Sequence, residues 1–146
     1  DIPAAELIID SIFSNLQRAR QLAASALASE AAGRLTRCRS LLEELQGLMG
    51  SLPHPPELLA ARVFTMQAFF EQSAGQKNIA RQAYLKALEK FSEALKKSKL
   101  ERSDIFDMFI DQGQLYNLTT EERVAFEKLK KAKLAPQNNQ TMHRIK

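Results

Sequence analysis

Residues 56–99 read PELLAARVFTMQAFFEQSAGQKNIARQAYLKALEKFSEALKKSK, and this stretch determines the fold that the sequence predicts. Apolar side chains recur every three or four residues on both sides of Ala74-Gly75, which is the spacing of two amphipathic helices joined by a tight turn. Small side chains fall where two such helices would touch, and aromatic side chains stand among them: Ala61, Ala68, Ala80, Ala83, Ala87, Phe64, Phe70, Tyr84 and Phe91. This combination is typical of a tetratricopeptide-type helix pair, which builds a surface and carries no chemistry of its own.

Helical spacing continues on the N-terminal side of this pair. One helix is predicted from Pro3 to about Ala28, and a second from Glu30 to Met49. The segment 50–56 then ends the second helix, because its three prolines cannot continue one. Within the pair itself, the fourth helix is predicted over residues 78–99, with Asn78 as its N-cap and a buried stripe that begins at Ile79.

Two shorter segments follow the pair. Ser103-Asp104 opens an apolar segment that Gly113 closes, and Thr119 and Glu122 have the spacing of a capping box. That box predicts a helix from about Thr120 to Lys133, with a thin apolar stripe formed by Val124, Phe126 and Leu129.

No strand-like alternation occurs in the sequence, so the predicted fold class is all-α. We expect an antiparallel bundle or solenoid of five to seven helices, tetratricopeptide-like in character. Residues 1–134 are predicted to form one helical domain. Residues 135–146 are predicted to be a flexible connector and the start of a further C-terminal segment.

Composition limits the setting in which the protein works. The chain has 146 residues, 45% of them hydrophobic, which is enough for one domain with a core. The single cysteine, Cys38, excludes an internal disulfide framework and favours a reducing compartment, so a cytoplasmic location is expected. Cys38 falls within an apolar stripe, where a buried small hydrophobe is the favoured interpretation over a reactive thiol. No run approaches 18 uninterrupted apolar residues, so no membrane partner is expected.

The sequence predicts no enzyme. It has no Gly-rich phosphate loop, no Cys or His pair at metal spacing and no nucleophile elbow. His54 lies between prolines, where neither a ligand nor a base is expected. Asp104, Asp107 and Asp111 would line one side of a short helix; a solvated acidic face is favoured there over a cation site. We therefore predict no catalytic residue, cofactor, metal site or small-molecule substrate.

Basic residues give the chain a net charge of +4. The Lys-rich segment 128–133 is a candidate contact surface for an acidic partner, and Lys128 and Lys131 are its predicted partner-binding residues. A nucleic-acid-binding bundle is one alternative, since lysines neutralise phosphates. The segment lacks interleaved aromatic residues, however, and nearby glutamates dilute its charge.

Three stretches resemble the alpha-four/Tap family of type 2A protein phosphatase regulators, also called immunoglobulin-binding-protein-like. Ile12-Phe13 followed by residues 19–22 (Ala-Arg-Gln-Leu) looks like that family's first helix, and residues 79–91 look like its central helix. Residues 142–146 (Met-His-Arg-Ile-Lys) are similar to the start of its basic run. One departure lies at residues 48–53 (Leu-Met-Gly-Ser-Leu-Pro), where the family has Leu-Phe-Ser-x-Asn-Glu.

This resemblance implies a tetratricopeptide-like domain that binds and stabilises type 2A phosphatase catalytic subunits. The family's phosphatase-contacting basic residues would correspond to Arg144 and Lys146, which complete the predicted partner-binding set. We therefore predict a non-catalytic protein-interaction module. The more specific prediction is an adaptor that binds and stabilises type 2A phosphatase catalytic subunits. A helical scaffold or chaperone for another protein partner is the second alternative.

Overall fold

The computed structural model describes the backbone of residues 1–145 and the side chains of residues 1–132. That part contains no strand and six α-helices: α1 (Ile2–Ala24), α2 (Ala28–Gly50), α3 (Glu57–Ser73), α4 (Lys77–Lys96), α5 (Asp104–Asp111) and α6 (Thr120–Ile145). A 3-10 turn, Gly113–Tyr116, connects α5 to α6. The predicted all-α class and the predicted number of helices are confirmed.

The first four helices pack as two hairpins, and α5 and α6 pack against the second hairpin. α1 packs along α2, and α3 packs along α4, which are the two most extensive contacts in the fold. α3 also packs against both helices of the first hairpin, while α4 packs against α6. α5 closes the core by contacting α3 and α6.

Small side chains let α3 and α4 approach closely, as the sequence predicts. Ala61, Ala68, Ala80, Ala83 and Ala87 are all buried. A buried hydroxyl also lies on α3, and it is satisfied locally: Thr65 Oγ1 donates to the carbonyl oxygen of Ala61 at 2.7 Å. The predicted burial of Ile79 is wrong, because 49% of this residue is exposed. It lies in the first turn of α4, at the edge of a cavity that Phe70 and Glu71 of α3 also line, whereas the next residue, Ala80, is fully buried.

Helices α1 and α4 end earlier than predicted, at Ala24 and Lys96. In each case a non-glycine residue soon after the helix, Ala26 or Ser98, adopts the left-handed conformation. The next amide then bonds back across the last turn, from Leu27 N to Leu22 O at 2.9 Å and from Lys99 N to Ala94 O at 2.8 Å. Left-handed alanine and serine are rare.

The N-cap predicted for α4 is also wrong. The residue at that position is Gln76, which makes no side-chain capping bond, and Asn78 lies inside the helix. The turn before it is as predicted, since Gly75 has a φ of +81°. This turn reverses the chain so tightly that the helix begins one residue before Asn78.

An aromatic cluster joins the second hairpin to the later elements. The Tyr84 ring is stacked between Phe109 of α5 and Tyr116 of the 3-10 turn, with centroid separations of 4.2 and 4.0 Å. Phe91 packs against Phe109 at 4.8 Å and against Phe106 at 5.1 Å. Rings at these separations add to the apolar burial that holds α5 on α4.

The two stacked tyrosines differ in how their hydroxyls are satisfied. Tyr84 donates to the carbonyl oxygen of Phe109 at 2.7 Å, whereas the buried Tyr116 hydroxyl has no hydrogen-bond partner among the described residues. We expect Tyr84→Phe to lower the free energy of unfolding by about 1–2 kcal/mol, because it leaves a buried carbonyl unpaired. Tyr116→Phe should leave stability unchanged or raise it by up to about 1 kcal/mol. Urea denaturation of both variants measures the difference, and equal losses would contradict the assignment.

The start of α6 is fixed by the predicted capping box and by an arginine of α4. Glu122 N donates to Thr119 Oγ1 at 3.2 Å, and Thr119 N donates to Glu122 Oε1 at 2.9 Å. Arg81 reaches the same glutamate at 2.6 Å and also donates to the carbonyl oxygen of Tyr116 at 3.0 Å. These bonds fix where α6 begins relative to α4.

Helix α6 is longer than the predicted segment, which ended at Lys133. After Gly113 the sequence has no further glycine, so Pro136 is the only strong helix breaker in that stretch. Val124, predicted in the buried stripe of this helix, is 54% exposed, while Phe126 and Leu129 are buried as predicted. The division of the chain near residue 134 stays a prediction.

Cys38 is fully buried, as the favoured interpretation of the sequence has it. Its Sγ lies 3.8 Å from the carbonyl oxygen of Ile12, and burial raises the pKa of the thiol from 9.0 to about 11. The folded state therefore holds this proton more tightly than the unfolded state between those two values. Burial raises the pKa values of Tyr84 and Tyr116 as well.

Raised pKa values of this kind make stability fall as the pH rises. From pH 8 to pH 10 we expect the Cys38 contribution alone to lower the free energy of unfolding by about 1 kcal/mol. Thermal or urea unfolding across this range measures the effect. Cys38→Ala is the control, since it should reduce the slope and leave the tyrosine contribution. Stability that increases toward pH 10 would contradict the prediction.

Candidate protein-binding groove

Two adjoining cavities follow one face of α3, and together they are called the groove. The lining residues of α3 have the spacing of a single helical face: Glu57, Ala60, Val63, Phe64, Gln67, Phe70 and Glu71. Opposite them, α2 contributes a second such face: Arg39, Leu42, Glu43, Gln46 and Met49. The α2 face spans about three helical turns, or about 15 Å, and the α3 face about four turns, or about 21 Å. The groove therefore has the length of a short peptide segment.

The groove has two halves, which share Gln46 and Gln67. The connector half has a volume of about 560 Å³ and includes Pro53, His54 and Pro55 of the connector between the two hairpins. The hairpin half has a volume of about 350 Å³ and includes Ile79 and Ala83 of α4. Since both glutamines line both halves, they mark the middle of the groove.

Local sequence explains the shape of the connector half. The prolines of segment 53–56 exclude helix between Gly50 and Glu57, so α2 and α3 are held apart by a stiff loop instead of meeting at a tight turn. Met49, Val63 and Phe64 then line the space beside this loop. His54 is exposed there, and the carboxylate that lines the same half, Glu57, is paired with Lys97.

Cations lie over aromatic rings in both halves. The guanidinium carbon of Arg39 is 5.0 Å from the centroid of the Phe70 ring. The ammonium of Lys86 is 5.6 Å from the centroid of the Phe64 ring. Contacts of this kind are worth about 0.5–1 kcal/mol at exposed sites. The Arg39 contact holds a basic side chain in the lining of the hairpin half, whereas Lys86 lines neither half.

The charged residues that line the connector half form ion pairs with neighbouring side chains. Glu57 accepts a hydrogen bond from Lys97, which lowers the pKa of Glu57 and raises that of Lys97. Lys90 lies 3.4 Å from Glu93 on the same helix. Both pairs are at least partly exposed, so they contribute little to stability and leave the apolar lining as the main property of this half.

The groove combines apolar lining with polar groups at its centre and edges. An arrangement of this type buries apolar side chains of a bound segment and orients it by a few hydrogen bonds. Within the part of the chain that the structure describes, no group of three or more His, Cys, Asp or Glu residues could hold a metal ion. No described helix is long and apolar enough to cross a bilayer.

The predicted partner-binding lysines lie outside the groove. Lys128 and Lys131 are exposed on α6, on the same helical face as Val124 and away from the buried Phe126 and Leu129. Neither forms an ion pair with a described carboxylate. The chain has no Asp or Glu after Glu127, so this end of α6 is basic throughout.

The other two predicted residues are not tested. Arg144 falls in the part of α6 whose side chains lie outside the described residues, and Lys146 lies outside them entirely. The three aspartates of α5 line a shallow hollow together with Arg20 of α1. The basic side chain of Arg20 reduces the negative charge of that hollow.

The groove itself was missed at the level of sequence, although one signal pointed to it. Residues 57–73 are apolar around most of the helix circumference, with Val63, Phe64, Phe69 and Phe70 on more than one side. A helix of this kind packs on several neighbours at once. The structure adds that Ile79, a large apolar side chain in the first turn of α4, is exposed and borders the groove.

Comparison of the chain with protein-family models, with curated proteins and with solved structures gives no match.

Proposed function

We propose that the protein is a non-catalytic interaction module that binds a segment of another protein in the groove between α2, α3 and α4. The observation that carries this proposal is the groove itself. Its lining is largely apolar and three to four helical turns long, and it is built on α3, which packs against four other helices, α1, α2, α4 and α5. Because α3 is held from several sides, the groove is a preformed surface, which reduces the entropy lost on binding.

A tetratricopeptide-like arrangement is part of the proposal. Two successive helix hairpins, α1 with α2 and α3 with α4, stack so that α3 contacts both helices of the first hairpin. The small residues between α3 and α4 support the same interpretation. Stacked hairpins of this kind expose an extended surface for a partner.

The sequence resemblance supplies one partner to test, a type 2A phosphatase catalytic subunit. In that form the protein is a cytoplasmic adaptor, and the exposed α6 residues Lys128 and Lys131 form a second contact outside the groove. The buried thiol of Cys38 and the absence of any other cysteine in the sequence fit a reducing compartment.

A groove-filling variant with a matched control tests the proposal. Gln46 is exposed at the middle of the groove, and Gln82 is exposed on α4 outside it. We expect Gln46→Trp to weaken partner binding at least about tenfold, which is about 1.4 kcal/mol. Gln82→Trp adds the same side chain at an exposed helical position and should bind as the unaltered chain does.

Pull-down with each immobilised chain at low and moderate salt, read by mass spectrometry, provides the measurement. Proteins retained by the unaltered chain and by Gln82→Trp, but lost with Gln46→Trp, would support the proposal. Recovery of a phosphatase catalytic subunit in that pattern would also support the adaptor form. Proteins retained equally by all three chains would contradict a role for the groove. Nucleic acid that is lost at moderate salt would favour the basic-bundle alternative.

A further inference from the structure

We infer that the hairpin half of the groove binds a lysine or arginine side chain of the partner segment, next to an apolar anchor in the connector half. This inference rests on the proposed function, since it assigns the chemistry of the segment that the groove would hold. It goes further because it predicts a sequence preference in the partner. Three features of the hairpin half carry it.

The first feature is unbalanced negative charge. The charged residues that line the hairpin half are Arg39, Glu43 and Glu71. Glu43 is exposed on α2 and Glu71 is partly buried on α3, so a carboxylate stands on each of two neighbouring helices. In the described part of the chain, neither carboxylate has a cation within ion-pair distance.

Arg39 does not neutralise these carboxylates directly. Its guanidinium lies over the Phe70 ring, with the carbon 5.0 Å from the ring centroid. A cationic side chain of a partner would therefore find two carboxylate acceptors in the same half of the groove. Bonds from a cation to a carboxylate are roughly twice as strong as neutral hydrogen bonds, and arginine can bind bidentately.

The second feature is the apolar part of the same lining. Leu42, Phe70, Ile79 and Ala83 line this half; nearly half of Ile79 is exposed, and the other three are buried. Lysine and arginine carry an apolar stem below a charged head, so they bury the stem on apolar surface and keep the head at its edge. A short acidic side chain would meet the carboxylates without covering the apolar surface.

The third feature is the pair of glutamines at the middle of the groove. The side chains of Gln46 and Gln67 form no hydrogen bond within the described residues, and each carboxamide can both donate and accept. They are suited to bond the backbone of a segment that crosses from one half to the other. Phe64 and Glu71 are seven residues apart on α3, which is about 10 Å. About three residues of extended chain cover that distance.

These features define a partner segment with one apolar residue and, about three residues along, a lysine or arginine. The apolar residue would lie against Met49, Val63 and Phe64. Nucleic acid does not fit this half of the groove, because its phosphates would approach two carboxylates.

A peptide array on the full chain tests the inference. The array would display short peptides with one leucine or phenylalanine and, at varied spacing, a lysine, arginine, glutamate or norleucine. We expect the unaltered chain to prefer lysine and arginine at one spacing, and Glu43→Gln with Glu71→Gln to lose that preference by about tenfold. Glu43→Lys with Glu71→Lys should reverse it in favour of glutamate.

Matched controls separate the groove from general charge. Glu44 and Glu89 are exposed on α2 and α4 and line neither half, so Glu44→Lys with Glu89→Lys makes the same change in net charge. This control should keep the preference for lysine and arginine. A control that reverses the preference as strongly as the groove variant would overturn the inference.

The remaining outcomes distinguish the inference from the proposed function. Peptides that bind the unaltered chain and are lost with Gln46→Trp, but show no preference for a basic residue, would overturn the inference and leave the proposed function standing. Absence of binding by every peptide would contradict both.

Discussion

Replacement of Phe109 by alanine is expected to lower the free energy of unfolding by about 3–5 kcal/mol, which is the usual cost of a large cavity in a core. Phe109 is fully buried on α5 and is in contact with Tyr84, Phe91 and Phe126, whose ring centroids lie 4.2, 4.8 and 6.5 Å away. Because these three rings belong to α4 and α6, the truncation removes contacts from several elements at once.

Urea denaturation followed by circular dichroism measures this loss. Leu7→Ala is the control, since 72% of Leu7 is exposed and its removal should change stability by less than about 0.5 kcal/mol. A loss below about 1 kcal/mol for Phe109→Ala would show that α5 does not pack on α4 as described.

Replacement of Gly113 by alanine should also be costly, at about 1–3 kcal/mol, because the core has no room for a methyl group there. A Cβ at Gly113 would lie 2.3 Å from Cε1 and 2.5 Å from Cζ of Phe126, and 3.0 Å from the Tyr84 hydroxyl. The Phe126 ring is buried, so it cannot move aside without shifting α6 or the 3-10 turn.

Gly47→Ala provides the matched control for Gly113→Ala. Nothing lies within 4 Å of a Cβ at Gly47, which is exposed inside α2. Alanine should stabilise that helix by up to about 1 kcal/mol. Melting temperatures of the two variants should therefore move in opposite directions. Equal shifts of the same sign would contradict the packing described around Gly113.

The sequence predicted those parts of the fold that depend on local patterns. Helical periodicity located all six α-helices, and the capping box at Thr119 and Glu122 placed the start of α6. The small residues of α3 and α4 predicted their close contact, since only small side chains allow helix axes to approach. These features need no knowledge of the rest of the molecule.

The helix ends could not be predicted in the same way. α1 and α4 stop where Ala26 and Ser98 take a left-handed conformation that such residues rarely adopt. No glycine marks either position, and at each of them the next amide bonds back across the last turn of the helix. The burial of Ile79 was predicted wrongly for a related reason: periodicity assigns a residue to a face but does not show how much of that face the neighbouring helices cover.

The candidate site was harder to predict than the fold. Sequence reasoning chose basic residues, of which Lys128 and Lys131 are exposed on α6 and line neither half of the groove. The groove depends on how α2 is placed beside α3, and that placement is set by the proline-rich connector together with long-range packing. Only the apolar excess of α3 hinted at it in advance.

Methyl-group nuclear magnetic resonance of the full chain tests the central claim most directly, namely that a partner binds in the groove. The partner is the protein that the unaltered chain and Gln82→Trp retain in the pull-down and that Gln46→Trp loses. The probes are methyl groups of the chain. Leu42, Met49, Val63 and Ile79 line the groove, whereas Val124 lies on the exposed face of α6 beside Lys128. We predict that binding shifts the four groove signals, and that Gln46→Trp suppresses these shifts. Shifts at Val124 with the four groove signals unchanged would contradict the account and move the binding surface to α6.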